Sequence, residues 1–138
     1  EKVDGMTFTE QIMKPHTPYY KALKGIMEKN CVHGMAHITG GGIEGNLCRV
    51  IPDGLSAVIE LDKIRTLPVF RFIRQCGNIS DKEMLSTFNC GVGFILVVQR
   101  EAAAQTAAYL SRYYDCYEIG RIRANEQKIV MENKLNWQ

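Results

Sequence analysis

The run Cys90–Val98 (Cys-Gly-Val-Gly-Phe-Ile-Leu-Val-Val) constrains this chain more than any other segment. It is apolar at nearly every position, so neither of its faces belongs in water. A central strand covered on both faces reads this way. Its apolar part, Val92–Val98, falls far short of the about 18 residues a membrane span needs, and no other stretch is longer. An alanine-rich segment with an acidic start, Glu101–Tyr113, follows as a helix. Cys116–Arg123 then reads as a second strand. Strand, helix, strand in this order suits a layer of helices on a sheet.

Upstream, Pro15 and Pro18 interrupt the short apolar pattern of Phe8–Met13 and exclude a continuous helix there. Thr17-Pro18 reads as an N-cap with proline in the first helical position. Tyr19, Ala22, Leu23, Ile26 and Met27 then follow at helical spacing. Asn30–Ile38 reads as a turn and a strand, Thr39–Gly42 as a tight turn, and Ile43–Val50 as a short helix. Leu55–Leu61 alternates in part and contains Val58 and Ile59, so it reads as a strand. Pro68–Cys76 is helical with Gly77 as its stop, and Ser80-Asp81-Lys82-Glu83 has the pattern of a capping box opening a helix through Leu85. Lys128–Glu132 is a further strand. The expected fold is α+β: a mixed β-sheet with helices mainly on one face, formed by residues 8–132, with tails at 1–7 and 133–138.

Composition agrees with one such domain. The chain has 138 residues, 46% hydrophobic and 23% charged, ordinary values for a globular protein and wrong for a disordered one. Seventeen basic against fifteen acidic residues give a net charge of +2, too little to suggest a nucleic-acid or membrane-surface partner. The five cysteines (Cys31, Cys48, Cys76, Cys90, Cys116) form no CxxC pair. They read as free thiols in a reducing compartment, which points to the cytoplasm. The chain opens on Glu1 with no signal-peptide pattern, as a fragment or processed product would.

Chemistry is most legible in His37-Ile38-Thr39-Gly40-Gly41-Gly42. Three glycines between a strand and a helix cost chain entropy but let backbone N–H groups approach an anion closely. The following helix N-terminus adds positive partial charge, so a phosphate is the natural guest. Thr39 offers a hydroxyl, and His37 a group that binds phosphate or moves a proton. A plain flexible turn with a hydrogen-bonded histidine explains the same residues. The second segment is Thr87-Phe88-Asn89-Cys90-Gly91-Val92-Gly93, where Thr87 and Asn89 precede the apolar strand. Its glycines open one face to a ligand, or equally serve a bulge or tight packing.

Other candidates are weaker. His33 and His37 share a strand face but lack a third metal ligand at sensible spacing, so no metal site is expected. His16 sits in the proline-rich turn. Arg49 could meet a phosphate or simply be a surface arginine. Lys63, Arg65, Arg71 and Arg74 read as a solvated face, and Tyr109, Tyr113, Tyr114 and Tyr117 as packing residues.

Taken jointly, Met35–Gly42, Asn46, Arg49-Val50-Ile51-Pro52, Pro68-Val69-Phe70, Glu83-Met84, Thr87–Gly93 and Ile119-Gly120 resemble one family in order and spacing. That family is aminoimidazole ribonucleotide synthetase, or phosphoribosylformylglycinamidine cyclo-ligase, and the resemblance runs from about Ile12 to Val130. Two departures are Cys48, where the family often has proline, and the absence of its tryptophan from Asp62–Leu67. The resemblance implies the C-terminal domain of a longer homodimeric enzyme of purine biosynthesis. Its substrates would be formylglycinamidine ribonucleotide and ATP with Mg2+, the metal and nucleotide held largely by an N-terminal domain outside this chain. It implies that His37 is catalytic, and that Thr39, Gly40, Gly41, Gly42, Arg49, Thr87, Asn89 and Gly91 bind substrate or phosphate. It also implies that this chain alone is inactive. Two alternatives are a related ATP-dependent enzyme of the formylglycinamidine ribonucleotide synthase or selenophosphate synthetase type, and a non-catalytic assembly module. The resemblance implies neither nucleic acid nor membrane as a partner.

Overall fold

A computed structural model describes residues 2–138. Its strands are β1 (Lys2–Val3), β2 (Met6–Thr7), β3 (Val32–His37), β4 (Leu55–Glu60), β5 (Phe94–Val98), β6 (Gly120–Ala124) and β7 (Ile129–Glu132). Its helices are α1 (Phe8–Ile12), α2 (Tyr20–Met27), α3 (Gly42–Leu47), α4 (Pro68–Gly77), α5 (Asp81–Thr87) and α6 (Ala103–Leu110), with single 3-10 turns at Leu61–Lys63 and Arg100–Ala102. The chain is α+β, as expected, and β6–β4–β7 is a mixed sheet: β4 runs antiparallel to β6 and parallel to β7. A separate antiparallel ladder joins β3 to β5, with His37 opposite Phe94 and Ala36 opposite Ile95.

The apolar run becomes a strand later than its composition suggests. Cys90 (φ 53°) and Gly91 (φ 112°) are both left-handed, so Cys90–Gly93 forms a turn and β5 starts at Phe94. Nor is β5 central, because β3 is its only strand partner among the described residues. Its two faces are nonetheless covered. Ile95 and Val97 join a large core with Ala36, Ile38, Ile43, Leu47, Met84 and Leu85. Leu96 points the other way, into a smaller cluster of Ala22, Ile26, Cys31 and Leu110. Thus α3 and α5 pack on one side of the ladder, and α2 and α6 on the other. Fully burying an Ile side chain such as Ile95 is worth roughly 1.5–3 kcal/mol, and half-buried Leu96 and Val97 gain part of that, so coverage on both faces explains why the run has no polar residue.

Several local expectations need correction. Thr17 does not cap α2: the helix starts at Tyr20 after an αR Tyr19 with no side-chain cap. The helix expected over 101–113 is a 3-10 turn followed by the shorter α6, and the strand expected over 116–123 is displaced to Gly120–Ala124. Ser80 does cap α5, its hydroxyl accepting from Glu83 N–H at 3.2 Å. Neither end behaves as a tail. Residues 2–7 form the β1–β2 hairpin, with Val3 buried (Glu1 lies outside the described residues). Leu135 is buried, and Trp137 packs on the core with its indole N–H donating to Asp81 at 3.0 Å. A few apolar side chains pin each end, which short polar flanks in the sequence conceal.

Candidate functional site

The three glycines serve three different purposes. Gly40 has open space where a Cβ would stand and no unusual dihedral. Gly41 takes φ 94°, which lets the chain reverse between β3 and α3. Gly42, at φ 62°, lies so close to α5 that a Cβ would meet the Leu85 carbonyl oxygen at 1.8 Å and that of Phe88 at 3.1 Å. That glycine is therefore required by packing. Thr39, Gly40 and Gly41 are exposed, and the Gly40 and Gly41 amides have no acceptor among the described residues. The Gly42 amide is already committed to the Thr39 carbonyl at 3.1 Å. Glu44, also exposed, puts a carboxylate in the first turn of α3, an unfavourable neighbour for a second anion.

Asn46 holds the loop from beneath. It is buried, and its Nδ2 donates to the carbonyls of Gly42 (2.8 Å), Gly40 (3.2 Å) and Thr39 (3.4 Å). A buried amide with several carbonyls to satisfy is a strong conformational clamp. Its position in the family pattern was legible, but its role was not, because the contacts depend on the turn made by Gly41.

The second segment lies against the first. Asn89 accepts from Gly91 N–H at 3.0 Å, closing a turn on itself, and its Nδ2 reaches the Ile38 carbonyl at 3.5 Å. Gly93 carbonyl accepts from Ile38 N–H at 3.0 Å. Thr87 is exposed at the end of α5, next to the Phe88 carbonyl that confronts Gly42. Gly91 faces elsewhere: a Cβ there would meet the Arg65 carbonyl at 2.8 Å, so its lack of a side chain serves packing. Cys90 is fully buried between these loops. Burial, and next the negative charge of Asp81, push its thiol up to about 11, so it stays protonated and inert at neutral pH.

His37 stands apart from the loop that follows it. Alternation along β3 sends Ala36 into the large core and His37 to the opposite face. There the segment between α1 and α2 crosses the ladder. His16 Nε2 approaches His37 Nε2 to 3.2 Å, and the two rings meet edge to face at 4.8 Å between centroids. Tyr19 lies 5.9 Å from His37 and 5.2 Å from Phe94, and Phe94 stacks near His37 at 5.9 Å. The Tyr19 hydroxyl fills the space a Cβ on Gly93 would need, 1.9 Å away. Tyr114 pins the segment by donating to the Pro18 carbonyl at 2.6 Å. His16 and Tyr19 are the residues sequence reasoning missed as site members. The one signal was a histidine in a proline-bracketed turn, and nothing local tied it to His37.

The structure thus brings Thr39, Gly40, Gly41, Gly42, Thr87 and Asn89 together. It leaves Arg49 exposed beyond the C-terminal end of α3, roughly 10 Å from the helix start by its rise per residue. No group of three metal-ligating side chains exists among the described residues, so the His16–His37 pair lacks a third such protein ligand. No helix among them is long and apolar enough to cross a membrane. Two hollows lie elsewhere: one of about 380 Å3 lined by Asp62–Thr66, Asn136 and Gln138, the other of about 320 Å3 between the β1 end and α4.

The family described as AIR synthase related protein, C-terminal domain, matches residues 9–132. The chain belongs to that family. Among similar proteins, a phosphoribosylformylglycinamidine cyclo-ligase of Methylobacillus flagellatus is 41% identical over 121 residues, covering 87% of this chain and 35% of that protein. A chloroplastic protein of the same name from Arabidopsis thaliana is 42% identical over 117 residues, covering 84% of this chain and 30% of that protein. One from Brevibacillus brevis is 37% identical over 134 residues, covering 96% of this chain and 38% of that protein. This AIR synthase related C-terminal domain therefore spans about a third of the length of the curated relatives it matches. The matched residues include both loops and both histidines of the site.

Proposed function

We propose that this chain supplies one wall of an ATP-dependent cyclo-ligase site that closes formylglycinamidine ribonucleotide to aminoimidazole ribonucleotide. The observation that carries the reading is the meeting of the two matched loops. Asn89 reaches Ile38, and Gly42 seats on Leu85 and Phe88, so Thr39–Gly41 and Thr87 come to one exposed edge. In the proposed reaction the terminal P–O bond of ATP breaks and a new one forms to the formyl oxygen. An internal nitrogen attacks the activated carbon, the C–O bond breaks, and phosphate leaves. The nitrogen gives up its proton, and ADP is the second product. Positioning and charge neutralisation dominate such a step. The free amides of Gly40 and Gly41 and the Thr39 hydroxyl would hold one phosphate, Asn89 and Thr87 would orient substrate, and His37 would take the proton.

The chain does not fit a Mg2+–nucleotide site, for it lacks a cluster of carboxylates among the described residues. We assign that part, with Mg2+ and most of the ATP contacts, to an N-terminal domain of the same enzyme. The intact enzyme would be a homodimer, and the five free cysteines favour a reducing compartment, the cytoplasm. Arg49 is the weakest of the proposed phosphate contacts, given its distance from the loop.

The test is ADP release with formylglycinamidine ribonucleotide, ATP and Mg2+, for this chain alone and mixed with a separately made N-terminal half. Activity only in the mixture, lost on His37→Ala, is the expected result. Activity from the chain alone would overturn the division of the site. Inactivity of a mixture whose halves demonstrably associate and bind ATP would overturn the assignment itself.

A further inference from the structure

We propose that His16 sets the tautomer of His37, leaving His37 Nδ1 as the one bare proton acceptor of the pair. The proposal rests on the reading of His37 as the group that takes the proton. The Thr17 carbonyl can only accept, so His16 Nδ1, 3.2 Å from it, carries a hydrogen. A neutral imidazole holds one N–H, so His16 Nε2 presents its lone pair. That lone pair faces His37 Nε2 at 3.2 Å, which must therefore be the donor. Neutral His37 then has no hydrogen on Nδ1, and no group among the described residues bonds to that atom. His16 thus acts as a positioning residue.

The two rings are held by independent parts of the fold. His37 ends β3, where its backbone is fixed opposite Phe94. His16 lies between Pro15 and Pro18, and Tyr114 grips the Pro18 carbonyl at 2.6 Å. Tyr19 packs 6.1 Å from His16 and 5.9 Å from His37, limiting the rotation of both. When the ring-closing nitrogen loses its proton, the N–H bond breaks, its electron pair stays on nitrogen, and the proton passes to His37 Nδ1. The Nε2–H still donates to neutral His16, so the new positive charge meets an acceptor already in place. This is the logic by which a second group orients and stabilises a catalytic imidazole.

The test is a long-range 1H–15N correlation spectrum of the chain carrying 15N-labelled histidine, with signals assigned through His16→Gln, His33→Gln and His37→Gln. His16 is expected in the Nδ1–H form, the minor tautomer of a free imidazole in water, and His37 in the Nε2–H form. His16 found as Nε2–H, or His37 as Nδ1–H, overturns the proposal, and this readout needs no activity. In the active mixture, His16→Ala should lower kcat about tenfold or more with KM little changed. His16→Gln, whose amide oxygen can still accept from Nε2–H, should restore most of it. Equal loss in both variants overturns the positioning role. Expected tautomers with full activity in His37→Ala would leave the hydrogen-bond chain standing and sink the catalytic reading. A silent His37→Ala with His16 as Nε2–H would do the reverse.

Discussion

His37 and Gly42 stand almost side by side in sequence, yet they belong to opposite sides of the β3–β5 ladder. Gly42 is buried against the end of α5, clamped by Asn46 and fitted to the Leu85 carbonyl. His37 is exposed on the other face, where it meets His16 and Tyr19 from the proline-bracketed segment and Phe94 of β5. One conspicuous motif therefore does two jobs. Its inner half is needed for the fold, and its outer half is free for chemistry. Residue type alone does not separate them, since glycine reads as ligand-cradling and histidine as catalytic wherever they occur.

The sharpest way to break this contrast is Gly42→Ala. A methyl at 1.8 Å from a backbone oxygen, at φ 62°, should cost about 3 kcal/mol or more, measured by urea unfolding. Near-wild-type stability would mean that the inner half is not a packing element.

Next in size is an alkaline transition from Cys90. Its ordinary value of 9.0 is raised to about 11 in the fold, so below pH 9 both states keep the proton and the stabilisation is complete. As pH rises past 9 the unfolded chain releases its proton first, and stability falls until the folded thiol ionises near 11. The loss is about 2–3 kcal/mol. Unfolding curves from pH 8 to 11 should show this loss in the wild type and lack it in Cys90→Ala. Parallel pH profiles for the two proteins would remove Cys90 from the buried side.

Asn46→Ala comes third, at about 2 kcal/mol, because three carbonyls lose a shared buried donor. Faster hydrogen exchange at the Gly42 amide should accompany it; unchanged exchange would show that the loop holds its shape without the clamp. The smallest expected effect is His37→Ala on stability, within about 0.5 kcal/mol, as for an exposed side chain. A thermal scan showing a large drop would place the outer face within the core.

Much of the fold was legible because its signals are local. Ser80 caps α5 through a contact within one turn, Pro68 opens α4, and the β-branched pair Val58-Ile59 marks β4, although four successive residues of that strand, Ser56–Ile59, are buried instead of alternating. The apolar run at Val92–Val98 correctly demanded cover on both faces. Its hydrogen-bonding place did not follow, because apolarity reports burial and not the number of strand neighbours. β4 is flanked on both sides, while β5 pairs only with β3 among the described residues. The chain ends misled for a similar reason: Val3, Leu135 and Trp137 each act through distant partners.

For the candidate site, the sequence by itself determined which residues were candidates, since the order and spacing of both loops carried the family. It also determined a tight turn after β3, because three successive glycines free the backbone there; in the structure Gly41 takes the left-handed φ of 94°. Only the tertiary structure decided that Gly42 and Gly91 serve packing, that Arg49 lies apart, and that His16 meets His37. Those outcomes depend on steric contact and hydrogen-bond direction between atoms far apart along the chain. Such pairings exist only once the helices have docked on the ladder.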